Sequence, residues 1–143
     1  MKNRNRTAAA AGMTAALLLI LAPQALANWS SSISSGGVGF ESRRWEDELY
    51  SRIEFTDCDL GSLHGGSNSV DVQMREDIPA SPDDSYDNKT FTACFSGGTS
   101  KGEWTDLGSG MKDMYFQLMK VGGSTVNGNT VDVETVFVDT TKA

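Results

Sequence analysis

Beyond its first 27 residues this chain is dominated by alternating apolar and polar side chains. Val70, Val72 and Met74 alternate with Asp71, Gln73 and Arg75, and Met114, Phe116 and Leu118 with Tyr115, Gln117 and Met119. Val131, Val133 and Thr135 alternate with Asp132, Glu134 and Val136, and Phe91, Ala93 and Phe95 with Thr90, Thr92 and Cys94. Within Leu49 to Cys58, Ile53 and Phe55 oppose Arg52 and Glu54. A period of two marks β-strands with one buried face, because successive side chains leave a pleated strand on opposite sides. Gly65-Gly66, Gly97-Gly98 and Gly108-Ser109-Gly110 punctuate these runs as turns. Asn127-Gly128, between Ser124-Thr125-Val126 and Asn129-Thr130-Val131, predicts a tight type I′ hairpin that makes the last two long strands antiparallel neighbours. Gly122-Gly123 just before it predicts a bulge or bend. Glu41 to Leu49, with Trp45 and Leu49 four apart, is the one stretch whose spacing admits a helical turn or two. Six or seven strands separated by polar turns predict an all-β fold, a small antiparallel β-sandwich or barrel.

The first 27 residues follow a different logic. Lys2, Arg4 and Arg6 precede an apolar run from Ala8 to Leu21, Pro23 breaks it, and Ala25-Leu26-Ala27 has the small-x-small form of a signal-peptidase site. The strongly apolar part falls short of the roughly 20 residues that span a bilayer. The expectation is a secretory signal peptide over 1–27, cleaved after Ala27, and a secreted extracellular protein that begins at Asn28. The remainder divides into an N-terminal extended segment, 28–40, and a β domain, 41–143.

Removal of 1–27 takes away three basic residues and no acidic ones, leaving nine Lys and Arg against 19 Asp and Glu, a formal charge of −10. That balance argues against nucleic acid and anionic membrane as partners, since both need basic surface. Cys58 and Cys94 are the only cysteines, and in an oxidising compartment they predict one disulfide. Closing that loop is worth ~4 kcal/mol of chain entropy. With His64 the only histidine, no zinc ligand set is available, and no metal or other cofactor is expected.

Catalytic patterns are thin. Gly98-Thr99-Ser100-Lys101-Gly102 matches G-x-S-x-G, but that motif requires a strand–turn–helix on an α/β sheet and here lies between two β segments. His64 precedes Gly65-Gly66 in a turn with no signalled partner for base catalysis. Asp83 and Asp87, or Glu54 and Asp57, would have to converge in a cleft for glycoside hydrolysis. The acidic loop Glu76 to Lys89 offers oxygen ligands for calcium but lacks the EF-hand spacing. The reading is that the chain is not an enzyme. Three rivals stand beside an adaptor or assembly-subunit reading: a protease inhibitor presenting Pro79 to Pro82, a carbohydrate-binding module stacking sugars on Trp29, Trp45 or Trp104, and a small polysaccharide-acting enzyme.

Asn28 to Phe40 (NWSSSISSGGVGF) carries the functional expectation. Trp29 and Ile33 share a face of an extended strand, serines separate them, and Gly36-Gly37 supplies a hinge before Phe40. Such a strand either opens this domain's own sheet or adds to a partner's sheet, where main-chain bonds give affinity and alternate side chains give specificity. Donation predicts that deleting Asn28 to Ser35 abolishes assembly and spares the fold. The export signal, this polar strand, the small disulfide-bearing β domain, the lack of catalytic groups and the segment Trp45 to Cys58 (WEDELYSRIEFTDC) together resemble the small adaptor subunit of actinobacterial umbrella toxin particles. The resemblance implies a non-catalytic adaptor that links larger secreted subunits, lectin-like on one side and a stalk-and-ring toxin on the other, through its N-terminal segment. It makes Trp29 and Ile33 the anchors; Phe40, at the end of the segment, is expected to bind the partner as well.

Overall fold

The computed structural model describes residues 28–61, 66–126 and 128–141. The proposed signal peptide, His64 and Asn127 lie outside them. Eight strands make up the described part: β1 (Trp29–Gly36), β2 (Trp45–Asp47), β3 (Ser51–Leu60), β4 (Val70–Glu76), β5 (Asp84–Phe91), β6 (Thr99–Trp104), β7 (Lys112–Val121) and β8 (Val131–Asp139). They form two antiparallel four-stranded sheets, ordered β1-β8-β3-β6 and β2-β7-β4-β5. The sheets pack face to face as a sandwich, as the alternation of apolar positions predicts.

The core is the set of inward positions of both sheets. Ile53 and Phe55 of β3, Val70, Val72 and Met74 of β4, and Met114, Phe116 and Leu118 of β7 are all fully buried. Phe55 meets Phe91 edge-on at 4.9 Å and Phe116 at 5.6 Å, so aromatic packing joins the two sheets at the centre.

Four sequence expectations are corrected. The last two long strands are not neighbours: β7 lies in one sheet and β8 in the other. A tight turn forms at Gly122-Gly123, where φ is 63° and 77° and Val121 and Ser124 exchange backbone hydrogen bonds of 3.0 and 3.2 Å. Two left-handed residues in a row are the type I′ geometry that glycine adopts without steric cost. The chain beyond it crosses to the opposite sheet. Second, the alternation over Phe91–Phe95 ends at Phe91. Ala93–Ser96 form a 3-10 turn that buries Cys94 in place of the expected Ala93 and Phe95 face. Third, Glu41 to Leu49 is not helical. Residues 39–44 run along β7 through hydrogen bonds from Gly39 N to Leu118 O, Leu118 N to Phe40 O and Ser42 N to Phe116 O, and then become β2.

The fourth correction concerns β8, where Val136 is buried and Thr135 is exposed, the reverse of the simple alternation. Its partner β3 makes the same change of phase: Phe55 faces inward and the next inward residue is Cys58, with Asp57 at φ 53°. Phe55 pairs with Val136 and Cys58 with Val133, so both strands take up an extra residue at one level. Register is kept while the buried face shifts. The shift carries Cys58 inward to Cys94, and the two form the expected disulfide, with Cα atoms 5.1 Å apart. It ties β3 to the crossover between β5 and β6.

The two long sides of the sandwich differ. Where β5 and β6 run side by side, Trp104 plugs the seam, fully buried, with Nε1 donating to Asp87 O at 2.9 Å. On the other side β1 and β2 are the edges.

Candidate functional site

β1 is the first strand of the domain's own sheet. It pairs antiparallel with β8, Trp29 against Val138 and Gly36 against Val131. Asn28 fastens its start, its Oδ1 accepting from Thr140 N at 2.8 Å. The register slips at Ser31/Ile33 and again at Ile33/Gly36, and Ser35 takes φ 53° with its N–H donating to Asp132 Oδ1. These bulges turn Ile33 into the core, where it is 4% exposed, and leave Ser31, Ser32, Ser34 and Ser35 exposed.

Beside β1 an open groove of about 100 Å³ runs between the two sheets. Its floor is Ile33, Phe116 and Val136, all buried. Trp29 and Phe40 form the walls and Ser31, Ser32, Ser42 and Arg43 the rim. Trp29, Ile33 and Phe40, singled out from the sequence, therefore converge on one site. Trp29 packs on Trp45 with ring centroids 5.4 Å apart at 60°, and Phe40 on Phe116 at 6.5 Å.

Ser42 sets the rim. Its Oγ accepts from Phe116 N at 2.9 Å and donates to Arg43 O at 2.9 Å, clamping the 40–44 segment to β7. The two arginines that follow leave this clamp in different directions. Arg44 lies over Tyr115 at 3.9 Å and pairs with Glu41 and Asp77, both at 2.9 Å. Those two carboxylates raise its pKa against the opposing effect of burial. Arg43 lies over the Trp29 ring at 4.8 Å and makes no ion pair among the described residues. Underneath, Trp29 Nε1 is buried with no hydrogen-bond partner among the described residues, so packing alone holds the indole.

The other candidate chemistry is dispersed. Ser100 is buried in β6, its Oγ accepting from Cys94 N at 2.9 Å, which is a structural bond. Asp83 accepts from Tyr115 Oη at 2.5 Å and Ile78 N at 3.3 Å, and these two bonds lower its pKa. Glu54, on the opposite sheet, is held by Arg52 at 2.9 Å and Lys101 at 3.5 Å, and Asp87 by Lys89 at 2.7 Å. Strand β5 takes up the acidic stretch from Asp84 onward. Among the described residues no three His, Cys, Asp or Glu side chains are grouped to hold a metal. Trp45 and Trp104 are buried and Trp29 is tilted 60° to Trp45, so the three indoles form no flat exposed platform. No helix among the described residues is long and apolar enough to cross a membrane.

Sequence reasoning missed Arg43, Phe116 and Val136 as groove residues. Two adjacent arginines in an acidic chain were a signal for Arg43. The other two come from strands distant in sequence.

Fold and groove together define a disulfide-bonded antiparallel β-sandwich with an open groove beside β1. Comparison with protein-family models, with characterised proteins and with solved structures gives no match to this chain.

Proposed function

We propose that this chain is an exported, non-catalytic protein-binding module, an adaptor subunit of an extracellular complex, and that it holds its partner along β1 and the groove beside it. The carrying observation is the character of the edge. Exposed edge strands invite pairing with other chains, and natural proteins blunt them with charge, above all lysine. The other long edges follow that rule: β5 carries Asp84, Asp87 and Lys89, and β6 carries Lys101 and Glu103. β1 (WSSSISSG) carries no charge at all and borders an open apolar groove. Its bulges discourage indiscriminate pairing. A partner strand that also places an apolar side chain in the groove gains about 2 kcal/mol from that burial, which favours a matching partner over a random one.

Because β1 is paired with β8 and Ile33 belongs to the core, deleting Asn28 to Ser35 would remove part of the sandwich and cannot test this. Surface charge can. Ser31→Lys with Ser32→Lys places two lysines on exposed positions of the edge. Tagged protein returned to the culture fluid of its source should capture a stoichiometric partner, and the double variant, with an unchanged thermal melt, should not. Equal capture by both proteins, or no partner at all, contradicts the proposal. A role linking subunits of a toxin particle is its most specific form and predicts two captured proteins rather than one.

A further inference from the structure

Resting on that reading of the groove, we infer that its occupant is an extended acidic segment of the partner: an apolar side chain seated on Ile33, Phe116 and Val136, and a neighbouring Asp or Glu bound by Arg43. The pairing state of the cations points there. Arg44, Arg52, Lys89, Lys101, Lys112 and Lys120 are each matched with a carboxylate of this chain. Arg75 donates to Gln117 Oε1 at 2.9 Å. Arg43 is exposed and, among the described residues, rests on an indole face and meets no carboxylate, although the sequence holds 19 acidic residues against 12 basic ones.

Stacking suits a guanidinium for this task. An aromatic face attracts the cation through its quadrupole and fixes the plane, while the N–H groups around the rim of that plane stay available for a carboxylate in a bidentate pair. Trp29 thus both walls the groove and carries the cation at its lip. The apolar floor accepts one side chain of modest size, and the β1 edge alongside accepts the main chain. A free chain terminus fits less well than an internal Asp or Glu, because a terminus would end the strand that the edge pairs with.

The probe is a displayed library of random ten-residue peptides, selected on the intact secreted protein. The expected result is enrichment of an aliphatic or aromatic residue at a fixed short spacing from Asp or Glu. Affinity of a selected synthetic peptide should fall about tenfold or more with Arg43→Glu, fall as salt rises, and fall below about pH 4 as the peptide carboxylate is protonated. Lys101→Glu makes the same charge change on the far edge of the sheet and should leave binding unchanged. Thermal melts confirm that each variant is folded. Apolar sequences without an acidic bias overturn this inference and leave the groove reading standing. Peptides that bind Arg43→Glu and the Ser31→Lys, Ser32→Lys double variant as well as they bind the parent lie elsewhere and overturn both. So does failure to select any sequence.

Discussion

Trp29 of β1 and Trp45 of β2 meet with ring centroids 5.4 Å apart, joining the edges of the two sheets. Trp45 is anchored by Nε1 donating to Ser51 Oγ at 3.4 Å, whereas the Trp29 indole N–H has no acceptor among the described residues. The two nitrogens therefore predict different substitution outcomes. Trp29→Ala should cost about 2 kcal/mol, less than a fully buried aromatic, because Trp29 is only half-buried. Trp29→Phe should keep the contact and remove a buried donor that bonds nothing, leaving stability within about 1 kcal/mol of the parent or slightly above it. Urea melts of both variants check this; a large loss in Trp29→Phe would mean that the indole N–H is bonded.

The Cys58–Cys94 bond closes a loop with a sequence separation of 36. Removing it in Cys58→Ser with Cys94→Ser should cost about 4 kcal/mol, mostly through added freedom of the unfolded chain. Equilibrium unfolding measures this directly, and reductant should destabilise the parent while leaving the double variant unaffected.

Asp47 is a carboxylate with 0% exposure, bonded by Glu48 N at 2.8 Å and by the Ser51 hydroxyl. Burial pushes its pKa above the usual aspartate range, and these hydrogen bonds only partly offset that. A folded-state pKa above the unfolded value means that the native state holds the extra proton. Its contribution to stability is complete below the unfolded pKa of about 4 and is lost as pH rises through the folded one. Asp47→Asn does not titrate, so its stability relative to the parent should increase from pH 4 towards pH 7. A difference independent of pH, measured in urea, would contradict this account.

Tyr115 provides the alkaline counterpart. Burial first, and then the bond to Asp83, push its pKa to about 12, and Tyr50 is pushed to about 12 by burial and by Glu103. Both folded values lie above the unfolded value of about 10, so the stability they contribute is present below pH 10 and is lost between about 10 and 12. Tyrosinate absorbance should show both side chains ionising late in the folded protein. Tyr115→Phe should remove one of these transitions and lessen the loss of stability over that range.

Much of this was legible in the sequence, and where it was not the reasons are local. Alternation gave Val70–Met74 and Met114–Leu118 their correct inward faces because those stretches run without interruption on their buried side. It failed at Thr135 because Asp57 and its counterpart level in β8 shift phase together, a change that neither strand signals alone. It failed at Ala93 because the disulfide draws Cys94 inward. Asn127-Gly128 suggested a β7–β8 hairpin, but the tight turn formed at Gly122-Gly123 let the chain leave the sheet. Trp29, Ile33 and Phe40, which line one groove, could be singled out together because they are local to one another. Phe116, Val136 and Arg43 complete it only through tertiary packing, and the clamp made by Ser42 is visible only once β7 lies beside it.

The most direct test of the central claim, that β1 and its groove hold a partner, is site-specific photocross-linking in the native culture fluid. A benzophenone amino acid at Ser32, exposed on the groove rim, is compared with one at Lys101, exposed on the opposite edge of the same sheet. The account predicts a covalent adduct with a discrete secreted protein from Ser32, none from Lys101, and loss of the Ser32 adduct when Arg43 is changed to glutamate. Adducts from Lys101 alone, from both positions equally, or from neither would contradict it.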